Sequence, residues 1–425
     1  MTDRRAGRLL CAAVLFTVAG PLHAGAFEFP WPSARAAGLG GACVAAIDPS
    51  AIACNPAGIA MLPKKKGMSA GLAVSGFNES LYQGLPPGIG SGTAAEQKTP
   101  MSITPHLYAA LPFPLIGRNT VIGAGLSYPY RMHTEWKDPD QFAGRFLASE
   151  SEVEAFDLTT VWSTRFSPAL GIGAAVIYRS SSVTASRRIA ATRAGVQKEV
   201  GSLSMKSDVE RALGWSVGII LQPSAALSAG AAYHSAINTE YTGEGRLTQI
   251  STGDAQFDQL IKASLPFDQD LPVTTSLQFP SQTTFGAAWS PSKRWMFVLD
   301  ASRTQWAKTS GIDVVFAGNH TLDTRYPLSF EDTWAYRTGL RFRFPTGPQL
   351  RFGYALDKSP QPDATVGPFL PDADRTTLTA GFGLDWLDLA VGWTTYKQRI
   401  VTTNAEQFNG NYRANSWIAM LTVTK

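Results

Sequence analysis

Over residues 378–386 the chain sets Leu378, Ala380, Phe382, Leu384 and Trp386 against Thr379, Gly381, Gly383 and Asp385. A period of two puts the apolar set on one face of an extended strand, a pattern no helix keeps on one side. The same alternation recurs over 387–393, 350–354 and 227–233. No run of ~18 apolar residues follows the first twenty-odd residues, so helical membrane spans are excluded. Any membrane crossing must be made by strands.

The start of the chain directs it out of the cytoplasm. Arg4, Arg5 and Arg8 precede an apolar run over 9–19, and Ala24 and Ala26 offer small-residue cleavage positions. That is the layout of a secretory signal peptide, assigned to residues 1–24. Charged residues make up only 16% of the chain, against about 25% in ordinary soluble domains. A formal charge of +4 is small for this length and argues against nucleic acid as a partner.

In an exported chain, strand segments of about ten residues separated by turns are how a transmembrane barrel reads. About fourteen are counted after residue 67, from 68–79 to 411–424, with 294–315 taken as one strand. Short turns near Pro168, Ser224 and Pro291 alternate with long connections at 130–151, 185–204, 238–279 and 358–374. The expected fold is all-β, a transmembrane antiparallel β-barrel of about 14 strands spanning 67–425. A soluble β-sandwich or propeller shares the alternation, but Trp and Tyr recur at strand ends, where interfacial girdles need them.

Before the first strand lies "IACNPAGIAML" (52–62), an apolar stretch broken by Asn55, Pro56, Ala57 and Gly58, then Lys64, Lys65 and Lys66. Pro56 removes a backbone donor and Gly58 is conformationally loose, so no continuous helix survives there. Cys43 precedes this stretch and Cys54 lies within it. An oxidising compartment permits a disulfide between them, but spacing alone does not establish the geometry, and two small buried hydrophobes are the alternative. Two thiols with no nearby histidine do not make a metal site, and no motif calls for a cofactor.

Gly67-Met68-Ser69-Ala70-Gly71 matches the G-x-S-x-G nucleophile pattern. That elbow needs a strand-to-helix turn, and the alternation after Gly71 continues as a strand. Ser69 is therefore taken as a strand residue and the chain as a non-enzyme, with an outer-membrane lipid hydrolase or an adhesin as alternative readings.

Several stretches together carry a family resemblance: "SAR" at 33–35 with "GLG" at 38–40, "NPAG" at 55–58, and "FAGRF" at 142–146. It continues through "FPSQTTFGAAWSPSKRWMFVLDASRTQW" at 279–306, "EDTW" at 331–334 and "LRFGYALDKSPQPDATVGPFLPDADR" at 350–375. In this order they resemble the FadL/TodX family of outer-membrane transporters for long-chain fatty acids and other hydrophobic compounds. The resemblance implies that residues 25–66 fold into the barrel as a hatch, with Asn55 to Gly58 against its wall. It also implies capture by outer loops, a deep apolar pocket, and lateral exit at a kinked third strand, where Pro129 breaks the ladder.

Candidate ligand contacts follow from both readings. Phe257, Leu260 and Ile261 form an apolar stripe in the 238–279 loop, either a candidate landing site or the face by which a helix packs onto its neighbouring loop. Glu331 stands where family members often carry Lys, which favours a neutral hydrocarbon or aromatic over a fatty carboxylate. Arg179 and Arg337 are the cations left to consider, with pairing of either to a lumen carboxylate such as Asp332 or Asp357 as the alternative. The expected partners are a hydrophobic small molecule (fatty acid, alkane or aromatic) and outer-membrane lipid with lipopolysaccharide, around a monomer in the bacterial outer membrane.

Overall fold

The structure is a computed structural model that describes residues 26–62, 66–114 and 119–425. The signal-peptide assignment, Lys64 and Lys65 lie outside the described residues. Fourteen strands form the wall. The first seven are β1 (Gly67–Gly84), β2 (Ser102–Pro112), β3 (Thr120–Glu135), β4 (Glu150–Ser167), β5 (Leu170–Arg193), β6 (Glu210–Ser224) and β7 (Leu227–His234). The rest are β8 (Gln282–Trp289), β9 (Trp295–Thr304), β10 (Thr333–Arg343), β11 (Gln349–Asp357), β12 (Arg375–Gly383), β13 (Leu387–Tyr396) and β14 (Gly410–Thr424). Each pairs antiparallel with the next, and β14 returns to β1 from Ser69↔Thr424 to Gly84↔Gly410, closing the barrel.

The alternation takes a sense opposite to that of a soluble protein. Leu378 is 62% exposed and Val391 58%, while Thr377, Arg351 and Asp388 are buried. An apolar outer face over a polar interior suits strands standing in lipid. Trp289, Trp295 and Trp386 are exposed beside two short turns, as an interfacial girdle requires. Ser69 sits within β1, opposite Tyr108 and Thr424, so no nucleophile elbow forms there.

The long connections hold more structure than their sequence suggests. β5 continues to Arg193 and turns at Ala194 and Gly195, both at positive φ, into a strand at Val196–Ser207, so 185–204 is not a loop. The 238–279 gap contains strands Ile237–Gln249 and Asp270–Phe279 around a helix, Ala255–Ser264. The segment 294–315 is not one strand: it breaks at a 3-10 turn, Trp306–Lys308, and resumes as Gly311–Phe316. Likewise β3 and β4 occupy both ends of 130–151. Beyond the bilayer both strand faces can be polar, so the apolar contrast that marks a strand fades. These outer strands pair from Val196–Ser207 through Ile237–Gln249, Asp270–Phe279 and Gly311–Phe316 to Thr324–Pro327, and enclose buried Leu203, Tyr241 and Phe316.

Residues 26–62 bond to strands on every side of the barrel. The Ala34 amide donates to the Thr422 hydroxyl on β14, Gly40 to Thr379 on β12, and Cys43 and Val44 to Asp300 on β9. Asn55 Nδ2 donates to the Ile219 carbonyl on β6, and the Phe29 amide to the Pro129 carbonyl on β3. Within a closed wall, only the lumen allows all of these at once. The fit depends on bare wall backbone: a Cβ on Gly353 would lie 1.9 Å from the Gly40 nitrogen, and one on Gly218 1.9 Å from Asn55 Oδ1. Gly40 itself turns at φ +70° with Tyr354 backbone at its α-carbon, so neither partner of the Gly40–Gly353 contact tolerates a side chain.

Gly353→Ala is therefore expected to dislodge the N-terminal segment while leaving the barrel assembled. Hydrogen exchange of the 38–44 amides should rise by at least about tenfold, a local opening cost of more than ~1.4 kcal/mol. Heat-modifiable gel migration should stay that of a folded barrel; unchanged exchange would refute the tight contact.

Candidate ligand cavity and wall opening

The wall opens at one place along β2 and β3. Their pairing runs only from Pro112↔Val121 to Leu107↔Leu126, and above it β2 pairs with β1 alone. On its other side β3 slips register against β4 between Ser127 and Tyr130. Pro129 lies in that slip and has no N–H to offer a ladder. Higher up, a Gln97–Trp136 bridge closes the gap again. The N-terminal segment takes over the freed edge: Phe29 N donates to Pro129 O at 2.8 Å, and Arg131 N to Phe27 O at 2.8 Å.

A cavity of about 140 Å³ lies behind this window. Thr104, His106, Tyr128 and Pro129 bring it to the opening; Trp31, Cys43 and Val44 form part of its boundary from the N-terminal side; Ile177, Arg179 and Arg337 face it from the far wall. Above it Phe27 packs edge-on against Trp306 at 5.0 Å, and Tyr130 meets Phe279 at 5.0 Å. A further apolar space of about 40 Å³ lies among Val153, Met205, Tyr241, Val314 and Phe369.

The arginines facing the cavity are matched by carboxylates within the protein. Arg179 forms a two-pronged pair with Asp157, both bonds 2.8 Å, and lies over the rings of Tyr130 (4.7 Å) and Phe279 (4.6 Å). Arg337 bonds Asp357 at 2.8 Å, and Arg375 approaches the same carboxylate at 3.7 Å. Asp300 accepts the Cys43 and Val44 amides at 2.7 and 3.0 Å. Glu28 Oε1 accepts from Gln282 at 2.7 Å, while its buried Oε2 has no hydrogen-bond partner. Arg179 and Arg337 thus reach the cavity together, with both guanidiniums already bound to carboxylates.

Other expected positions fall elsewhere. Glu331 is exposed at the outer end of β10, its amide bonded to Pro360 O, and it does not line the cavity. Its motif lies before the strand begins, so the argument that its charge repels a ligand in the deep pocket does not hold. Phe257 is buried beneath Arg193 at 5.1 Å and Ile261 packs on the outer-sheet core, leaving Leu260 alone exposed. The stripe attaches the helix to its neighbours instead of forming an open groove. That attachment is reinforced by Asp258, whose carboxyl is held below the usual range by the Thr252 N–H and by the Thr252 and Ser251 hydroxyls.

Asn55, Pro56, Ala57 and Gly58 are buried. Asn55 donates to Val44 O and Ile219 O and accepts from Ala57 N, while a Cβ on Gly173 would lie 2.5 Å from Pro56. They are thus seated on β5 and β6, not beside the β2–β3 window. The wall below the window is met by Ile52 and Ile59, which fill the space over Gly123. Cys43 and Cys54 are joined by a disulfide with Cα atoms 6.0 Å apart. Asp157, Asp300 and Tyr130 were not anticipated, although the inward parity of their strands marks all three. Among the described residues no group of His, Cys, Asp or Glu is arranged to hold a metal ion.

A closed barrel of fourteen strands with an apolar outer face and an internal cavity defines an outer-membrane channel for hydrophobic molecules. The family described as outer membrane protein transport protein (OMPP1/FadL/TodX) matches residues 15–425, and the chain belongs to it. A 47 kDa outer membrane protein of Pasteurella multocida is 25% identical over 385 residues, covering 88% of this chain and 86% of that protein. The crystal structure of a Pseudomonas aeruginosa FadL homologue superposes with a TM-score of 0.77 at 19% identity, covering 94% of this chain and 99% of that one. The Pseudomonas putida toluene transporter TodX gives 0.68 at 16% identity, covering 95% and 99%. The protein is an outer-membrane transporter of hydrophobic compounds and not an enzyme.

Removing one partner of the Arg179–Asp157 pair leaves a buried charge alone, at a cost of about 3–5 kcal/mol. Asp157→Ala is expected to lose that much in denaturant unfolding, and Asp157→Leu combined with Arg179→Met to recover most of it. Equal loss in the double variant would show that the pair adds net stability.

Proposed function

We propose that the cavity takes uncharged or weakly polar hydrophobic molecules, such as alkylbenzenes, and that they leave sideways through the β2–β3 window into the membrane. The carrying observation is that both arginines facing the cavity are bound by carboxylates, Arg179 by Asp157 and Arg337 by Asp357. An ionised fatty acid would have to compete with those carboxylates, lie near Glu28 and Asp300, and shed its own hydration at a cost of several kcal/mol. A neutral ligand keeps the full gain of burial, roughly 0.8 kcal/mol per CH₂. That one structural neighbour is a toluene transporter agrees with this choice.

In this reading residues 25–66 are the hatch, braced by Asn55 and by the Cys43–Cys54 link, and passage is downhill without an energy source. Lateral release is supported by the window itself, since its lining is continuous with the cavity. The exposed apolar belt contacts lipid, with lipopolysaccharide at the outer rim, and one chain forms the whole channel.

Two measurements test the two parts. Purified protein is expected to bind octylbenzene at least about tenfold more tightly than palmitate at neutral pH, a difference of ~1.4 kcal/mol. Tighter palmitate binding would return the site to ionised fatty acids. Pro129→Val restores a ladder donor at the window; uptake of octylbenzene by cells should fall several-fold while binding by purified protein is retained, and undiminished uptake would reject lateral release.

A further inference from the structure

A second cavity, of about 220 Å³, lies on the other side of the N-terminal segment. Its lining includes Ala225, Ala226 and Ser290 of the short turns, so it opens at the rim opposite the long loops. Only Cys43 and Asp300 line both cavities, and Asp300 holds the Cys43 and Val44 amides, so this backbone separates them.

The lower cavity has two kinds of wall. One is apolar, with Leu39, Ala42 and Val298 buried and Ala288 and Met296 packed beside them. The other is charged, where Arg35 and Arg341 line the space with Asp48 and Asp300. Arg341 on β10 lies directly across from Arg351 on β11, a like-charge cross-strand pair. The nearby carboxylates are already engaged. Asp388 holds Arg351 at 2.7 Å and Arg35 at 3.1 Å, Asp48 holds Arg35 at 3.7 Å and also Ser50, and Asp385 holds Arg343 at 3.0 Å. Asp300, the other carboxylate lining the space, is taken by the Cys43 and Val44 amides, so no lining carboxylate engages Arg341. Arg341 makes no ion pair or side-chain hydrogen bond among the described residues, and its Nε is buried without a partner.

We propose that this cavity is a periplasm-facing site for a single-tailed amphiphile with a carboxylate head, which Arg341 binds while Leu39, Met296 and Val298 cover the tail. A guanidinium with an open fork binds a carboxylate through two parallel bonds, and such an anion gives Arg341 the partner it lacks. The apolar wall selects an amphiphile over a small anion. Because Arg35 belongs to the N-terminal segment and Arg341 to the wall, the occupant ties the two together. The site uses none of the upper cavity's arginines and does not depend on the neutral-ligand reading.

Crystals soaked in 12-bromododecanoate should show the bromine within the lower cavity and the carboxylate on Arg341. In solution, dodecanoate is expected to bind wild type at least about tenfold more tightly than Arg341→Gln, a ratio worth ~1.4 kcal/mol, and to slow hydrogen exchange of the 39–48 amides in wild type alone. Acetate, which lacks the tail, and dodecanol, which lacks the charge, should do neither. Equal dodecanoate affinity in Arg341→Gln, bromine only in the upper cavity, or equal protection by acetate or dodecanol would each overturn the proposal. If Arg341→Gln does not assemble, Arg341→Lys keeps the charge without the fork and is expected to bind more weakly than wild type; bromine away from residue 341 in wild type overturns the idea regardless. Failure of octylbenzene to bind, with the lower site occupied, would count against the upper-cavity reading alone.

Discussion

In hydrocarbon, a backbone N–H or C=O without a partner costs several kcal/mol, and this demand shapes everything else in the molecule. It forces the strands to close from β14 to β1. It also makes any gap in the ladder conspicuous, and the gap between β2 and β3 has a specific remedy. Pro129 removes one donor from the strand, while Phe29 and Phe27 of the N-terminal segment supply the missing exchange with Pro129 O and Arg131 N. The wall and the segment inside it thus complete each other.

That mutual completion limits what the segment can be made of. It approaches the wall closely at Gly353 and Gly218, where a single methyl would collide with Gly40 and Asn55. Elsewhere polar side chains hold it, through Thr379, Thr422 and Asp300. Small residues and side-chain acceptors inside the barrel are therefore the counterpart of the NPAG turn, and neither is intelligible without the other.

How much of this the sequence displays follows the same physics. Inside the bilayer the outer face must be apolar, so 378–386 and 387–393 announce their strands. Above the bilayer that contrast ends, and Val196–Ser207 or Ile237–Gln249 look like loops although they are strands. The site was legible only in part. Arg179 and Arg337 were identified by charge, yet their partners Asp157 and Asp357 share the same inward parity and set the cavity's character. Glu331 misled because a motif gives a residue's neighbours in sequence and not its height along the barrel. Phe257 and Ile261 misled because an apolar stripe records that a helix packs, without recording against what.

Height along the barrel is also what divides the lumen chemically. The segment from Gly41 to Val44 lies at a boundary across which the charge balance changes. Above it Arg179 and Arg337 each have a carboxylate. Below it Arg341 faces Arg351, and the carboxylates there are bound elsewhere, Asp388 to Arg351 and Arg35 and Asp300 to the Cys43 and Val44 amides. Burying a charge is tolerable only when it is paired. In the proposed reading the two cavities differ in preference because, of the four arginines lining them, Arg341 has no carboxylate among the described residues. The backbone held by Asp300 therefore divides two chemical environments.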